Sequence, residues 1–194
     1  MSKSDSAKER NKTIRWVVTV FLVTIAVSGF ISLISDEIMS GSGIVTAFAI
    51  LLIIVLIGIV FDIVGVAVTS AHEKPFHSMA ARKVPGAQDA IRLLRNAERV
   101  SSICCDVVGD ICGVVSGSAS ATIAAQVLAR IECGWPQAVT LLMSAMVAGL
   151  TVGGKAVGKT IAMASATSIV HGVGRILFGL RHIPELFRKK KNKR

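Results

Sequence analysis

The sequence predicts an all-α, polytopic integral membrane protein with four transmembrane helices and a cytoplasmic juxtamembrane helical segment between the second and third. Three observations predict it. Apolar residues fill 52% of the 194 positions and Tyr is absent, a balance outside the range of soluble domains. Four apolar stretches, residues 14–34, 44–70, 101–131 and 136–170, reach the roughly 20 residues that a helix needs to cross a 30 Å hydrocarbon layer. The basic residues, which bring the formal net charge to +10, gather in three segments that alternate with pairs of these stretches.

Residues 1–13 are polar and basic and read as a disordered cytoplasmic arm. The first apolar stretch follows Lys3, Lys8, Arg10, Lys12 and Arg15, as a signal peptide would, but it is longer than the usual h-region and has no small-residue cleavage site before a soluble domain. It reads as a retained helix, 14–35. A short outer turn around Ser40 and Gly43 leads into the second stretch.

Between the second and third stretches, residues 72–100 form the sizeable polar segment, and Pro75, Pro85 and Gly86 divide it into two short helices. The second of these sets Ala90, Ile91, Leu94 and Ala97 on one side and Gln88, Arg92, Arg95 and Arg99 elsewhere, which is amphipathic. Such a helix is expected to lie along the inner membrane surface. Phe178, Pro184 and Phe187 suggest a comparable interfacial piece ahead of a basic cytoplasmic tail, 176–194, with no further domain expected after it.

Orientation follows from the basic segments: the N-terminal arm, 74–99 and 175–194 are rich in Lys and Arg, whereas Asp36, Glu37 and the turn at 130–136 are not. Both termini are therefore expected on the cytoplasmic side of the plasma membrane. The partner implied by the excess charge is a bilayer with an anionic inner leaflet, at about 1 kcal/mol per juxtamembrane cation. The terminal run Arg188, Lys189, Lys190, Lys191, Lys193 and Arg194 has no nucleic-acid-binding fold around it, so no nucleic-acid partner is expected.

Several chemistries are set aside on spacing. Cys104, Cys105, Cys112 and Cys133 make no C-x-x-C pair and have no His nearby in sequence, so they read as small packing residues. No nucleophile-elbow pattern occurs, and no enzyme is expected. Gly153, Gly158, Lys159 and Thr160 match a phosphate-loop pattern formally, but the strand that such a loop needs is missing ahead of them.

Five charges remain inside the apolar stretches: Asp62, Asp106, Asp110, Lys155 and Lys159. Each costs about 2.5–3.5 kcal/mol at bilayer depth on the insertion scale, so each is expected to face a protein interior or a wet cavity. Asp106 and Asp110 are four apart and share a helical face, as do Lys155 and Lys159. Gly109, Gly113 and Gly117 recur at the same interval and allow close approach of another backbone. That glycine face serves either helix packing within the chain or a dimer interface or pore wall. The charges likewise admit two accounts. The carboxylates and ammonium groups pair across helices, or the carboxylates line an aqueous site for a hard divalent cation, which takes one or two carboxylates and keeps several waters.

From Phe61 to Val115 the chain resembles the transmembrane domain of the cyclin M and CorB/CorC family of magnesium transporters. The family's first helix ends in a pattern F-S-x-x-E-x-A-L-x-S, which falls on Phe61, Asp62, Ile63, Val64, Gly65, Val66, Ala67, Val68, Thr69 and Ser70. Its L-A-x-x-G-x-x-G-A segment is similar to Met79, Ala80, Pro85, Gly86 and Ala87. Its L-L-x-N-P-E-R-L run is similar to Leu93, Leu94, Arg95, Asn96, Ala97, Glu98, Arg99 and Val100, and its I-G-N to Val108, Gly109 and Asp110.

The resemblance implies a domain over residues 44–175, with 14–35 as an extra helix. It also implies a homodimer that carries magnesium, with cobalt as a related ion, past polar groups midway along its helices. Asp62 and Asp110 take the family's ligand positions, and Asp106 joins them as a candidate metal ligand. The chain departs from the pattern where the family has acids: Gly65 stands at one acidic position and Lys155 at another, while Gly158 stands at a proline. The paired nucleotide-sensing modules and terminal domain common in the family are not expected here. The alternative is a non-transporting membrane scaffold or regulatory subunit in which Lys155 and Lys159 neutralise the carboxylates.

Overall fold

The computed structural model describes the backbone of residues 3–41, 43–130 and 135–191, and side chains between 14 and 181 apart from 36, 40, 42 and 131–134. Cys133, Asp36, Pro184, Phe187 and the terminal basic run therefore lie outside the described side chains. All elements among the described residues are helical. They are α1 (Lys3–Ser40), α2 (Ile44–Ser70), α3 (Lys74–Ala81), α4 (Ala87–Arg95), α5 (Ala97–Ser101), a π-helix (Ser102–Gly109), α6 (Asp110–Leu128), α7 (Pro136–Ala164) and α8 (Ala166–Lys191).

Four of the runs are long and apolar enough to cross a membrane: Ile14–Met39, Ile44–Ser70, Ala97–Leu128 and Pro136–Ala164. The chain is thus an all-α membrane protein, as its composition requires. Large apolar side chains such as Phe21, Phe30, Leu33, Val45, Leu141 and Val152 stand on the surface, where lipid rather than water is their favourable solvent. Two boundaries differ from the hydropathy reading. Helical backbone starts at Lys3, within the segment read as a disordered arm. The last apolar stretch is divided at Ser165, although Ser165 N–H still donates to the Ile161 carbonyl and Ile169 N–H to that of Ser165. The helical hydrogen-bond ladder thus runs through the division.

The chain forms two compact units, Met1–Leu56 with Asp110–Gly149, and Ile57–Gly109 with Leu150–Arg194. In the first, Met39 of α1, Ala47 and Leu51 of α2, Ala119 and Ile123 of α6 and Val147 of α7 make the core. The Gln126 side-chain amide donates to the Met39 carbonyl over 2.8 Å, so one of the last carbonyls of α1, which the helix itself leaves without a partner, is satisfied from α6.

In the second unit the core joins Ala67 and Val68 of α2, Phe76 of α3, Ala90, Ile91 and Leu94 of α4, Ala162 of α7, and Ala166 and Val170 of α8. Residues 72–100 form short helices, as the prolines and Gly86 require. The apolar side of α4 packs inward against this core. The backbones of α4 and α8 approach so closely that a Cβ on Gly86 would lie 2.5 Å from Arg175 N, and one on Gly174 would lie 2.5 Å from Gly86 O. Gly86 also has φ +83°, which glycine adopts without strain.

Small residues set a second close approach in this unit. A Cβ on Gly158 would lie 2.8 Å from Ile63 Cγ1, and one on Gly154 would strike Ile59 Cδ1. Glycines four apart on α7 thus receive isoleucines four apart on α2, which brings Lys155, between those glycines, toward the level of Asp62.

Candidate functional site

Asp62 lies in the most apolar of the four spans and is 4% exposed. Its Oδ2 has no hydrogen-bond partner, in a setting where a lone buried polar group costs about 1–3 kcal/mol and an ionised one more. The helix ladder consumes the backbone donors around it, so satisfaction must come from a neighbouring side chain, water or an ion.

The wall opposite α2 is the π-helix. Such segments use i→i+5 hydrogen bonds and occur mostly as short interruptions of α-helices, often at functional sites. Here it extends over Ser102–Gly109, between α5 and α6. Its Cys104 and Cys105 lie over Gly65: a Cβ there would strike Cys105 Sγ and lie 3.2 Å from Cys104 Cβ. The Cys105 thiol donates to the Asp62 carbonyl over 3.7 Å. A side chain as long as Glu has no room at position 65, where glycine admits the cysteine face.

Gly109, the last residue of the π-helix, is the meeting point. A Cβ on it would lie 3.3 Å from Lys155 Nζ, 3.4 Å from the Cys104 carbonyl oxygen and 3.9 Å from Asp62 Oδ1. The Lys155 ammonium donates to the Gly109 carbonyl over 3.3 Å. Since a helical carbonyl keeps a second lone pair, this bond does not require the ladder to open. A buried carboxylate, an ammonium and two backbone carbonyls therefore surround one hydrogen-sized side chain, within one compact unit.

The other charges singled out from the sequence are exposed. Asp106 is exposed on the π-helix and Lys159 is exposed on α7. Asp110 opens α6 in the other unit and is exposed there. Among the described residues no three His, Cys, Asp or Glu side chains are grouped as a metal centre would need. The glycine stripe divides as well: Gly109 is buried at the site, whereas a Cβ on Gly113 or Gly117 would meet nothing within 4 Å. Cys104, Cys105 and Cys112 form no disulfide among the described residues.

A second polar cluster was not marked by hydropathy because it lies outside the spans. Asp89 of α4 is buried, and its Oδ1 accepts from Arg92 Nη1 at 3.2 Å and from Arg181 Nη1 of α8 at 3.1 Å. The three-residue spacing of Asp89 and Arg92 is a sequence signal for their pairing. Arg181, 92 positions away, has none. No family model, curated protein or solved structure matches the chain.

Proposed function

We propose that the protein moves a divalent cation, magnesium first and cobalt as a related ion, across the cell membrane, with Asp62 as the carboxylate on the path. The observation that carries this reading is the Asp62 carboxylate, buried in an apolar span with Oδ2 unpartnered. Intramembrane acids of this kind mark ion routes because their burial is otherwise unrewarded. The donor chemistry is also appropriate: magnesium takes one or two carboxylates, further oxygens and retained waters, and the carbonyls of Gly109 and Cys104 border the same glycine position. The resemblance over 61–115 supports the same ion class.

Lys155 supplies the reason for a second reading. Its ammonium sits at the Gly109 carbonyl beside the Asp62 carboxylate, where it opposes a divalent cation by repulsion and is itself a tethered cation for the acid. In that case the protein is a membrane scaffold or regulatory subunit that retains a transporter's helices. Both readings take the termini as cytoplasmic, from the distribution of basic residues, and the working unit as a homodimer. The open space beside Gly113, Gly117 and Gly149 supports an association of that kind.

Magnesium flux into proteoliposomes separates the two. Transport requires that the native chain exceed protein-free liposomes and that Lys155→Glu be at least as active. Background flux in the native chain with flux gained in Lys155→Glu identifies a site closed by the lysine, and background flux in both supports the scaffold.

A further inference from the structure

We propose that the Asp89, Arg92 and Arg181 cluster, with Lys83, is a binding site for the phosphate headgroup of an anionic phospholipid whose acyl chain lies in the adjoining apolar groove. The cluster faces two clefts within the second unit. One, of about 370 Å³, is bordered by Lys83, Gly86, Gln88 and Phe178 together with Asp89, Arg92 and Arg181. The other, of about 570 Å³, is bordered by Leu93, Val100, Leu177 and Leu180 together with the same three charged residues. A cationic cleft and an apolar one thus share a wall, which is the polarity of a lipid molecule and not of a free anion.

The charge arrangement favours phosphate. Asp89 is only 11% exposed at its side chain, whereas Arg92 and Arg181 are 60% and 65% exposed. One buried oxygen holds an Nη1 from each guanidinium, so two cations are fixed side by side with a single compensating charge. Each guanidinium has five N–H donors, and the remaining ones form the fork that recognises phosphate. The nine-residue α4 begins at the same cleft, and its N-terminus adds a favourable dipole.

Lys83 supplies an independent observation. It follows the C-cap of α3 with φ +56°, a left-handed conformation that a side chain makes costly. Lys83 N–H donates to the Ala80 carbonyl and Val84 N–H to that of Met79, the bonds of a helix stop in which glycine is the favoured residue at this position. A cation stands at the rim of the cleft where the backbone alone would select glycine. Basic pockets beside membrane helices take anionic headgroups, and the sequence assigns this segment to the side of the anionic leaflet.

The test uses the full chain in detergent, with native mass spectrometry and thermal unfolding against dioleoyl phosphatidylglycerol, dioleoyl phosphatidylcholine, glycerol 3-phosphate and inorganic phosphate. Phosphatidylglycerol is expected to bind saturably and raise the melting temperature, and phosphatidylcholine and the two soluble phosphates to do neither. Lys83→Gly with Arg92→Gln, in which glycine relieves the backbone at 83, is expected to weaken phosphatidylglycerol binding by about tenfold or more. Lys74→Gln with Arg95→Gln removes the same charge away from both clefts and is expected to leave it unchanged. Leu180→Gln is expected to weaken the lipid by altering the groove alone. Equal stabilisation by glycerol 3-phosphate would overturn the lipid as ligand in favour of a soluble phosphate. Equal loss in the two double variants would reduce the effect to net charge and overturn the site.

Discussion

Asp62 and Lys83 each occupy a position where local physics selects another residue type. At 62 the penalty is desolvation, since an apolar helix interior disfavours a carboxylate whose Oδ2 has no partner. At 83 the penalty is backbone conformation, and it is measurable in isolation. Lys83→Gly is expected to stabilise the fold by about 1 kcal/mol, seen as a higher melting temperature in detergent, because glycine takes φ +56° without a Cβ clash. A lower melting temperature would mean that the lysine side chain stabilises the fold by more than its backbone costs. Asp62 was legible in the sequence as a charge in an apolar run, but Asp106 and Asp110 were equally legible and are exposed. Hydropathy registers that a charge lies in a span without registering which way it turns. The partnership of Asp89 with Arg181 was not legible at all, since a contact across 92 positions leaves no local pattern.

At the scale of elements, glycine spacing proved informative where a partner residue can be named. Gly154 and Gly158 receive Ile59 and Ile63, so Gly158→Val is expected to cost about 1–3 kcal/mol through overpacking, read as a fall in melting temperature. Gly113 and Gly117 face open space within the chain. Leu at both is therefore expected to leave monomer unfolding little changed while weakening the proposed dimer, which light scattering in detergent would register as a shift toward monomer. Unchanged dimer mass would remove those glycines from the interface. The helices themselves follow from apolar length, and the breaks around α3 and α4 follow from Pro75, Pro85 and Gly86. The π-helix does not, because the eight residues from Ser102 to Gly109 make too few turns for a period to be read from the spacing of apolar residues. The inward turn of α4 was hidden for a related reason: an apolar helical face fits lipid and a protein core alike, and only the opposing Val170 and Phe76 decide between them.

At the scale of the whole molecule, Asp62 is the one charged side chain among the described residues that is buried within an apolar span, which makes the junction of α2, the π-helix and α7 informative. The Asp62 carboxylate, the Lys155 ammonium and the carbonyls of Gly109 and Cys104 border one glycine. In the proposed transport cycle the carboxylate attracts the ion, while the ammonium sets the barrier to occupancy. Charge-neutral replacement at Asp62 and at Asp106, both in this unit, separates a buried path from an exposed charge. The most direct measurement is magnesium uptake by proteoliposomes containing the native chain, Asp62→Asn or Asp106→Asn at equal protein density. The account predicts uptake above protein-free liposomes for the native chain, a loss of about tenfold or more for Asp62→Asn, and a change within about twofold for Asp106→Asn. Uptake by Asp62→Asn equal to that of the native chain would contradict it.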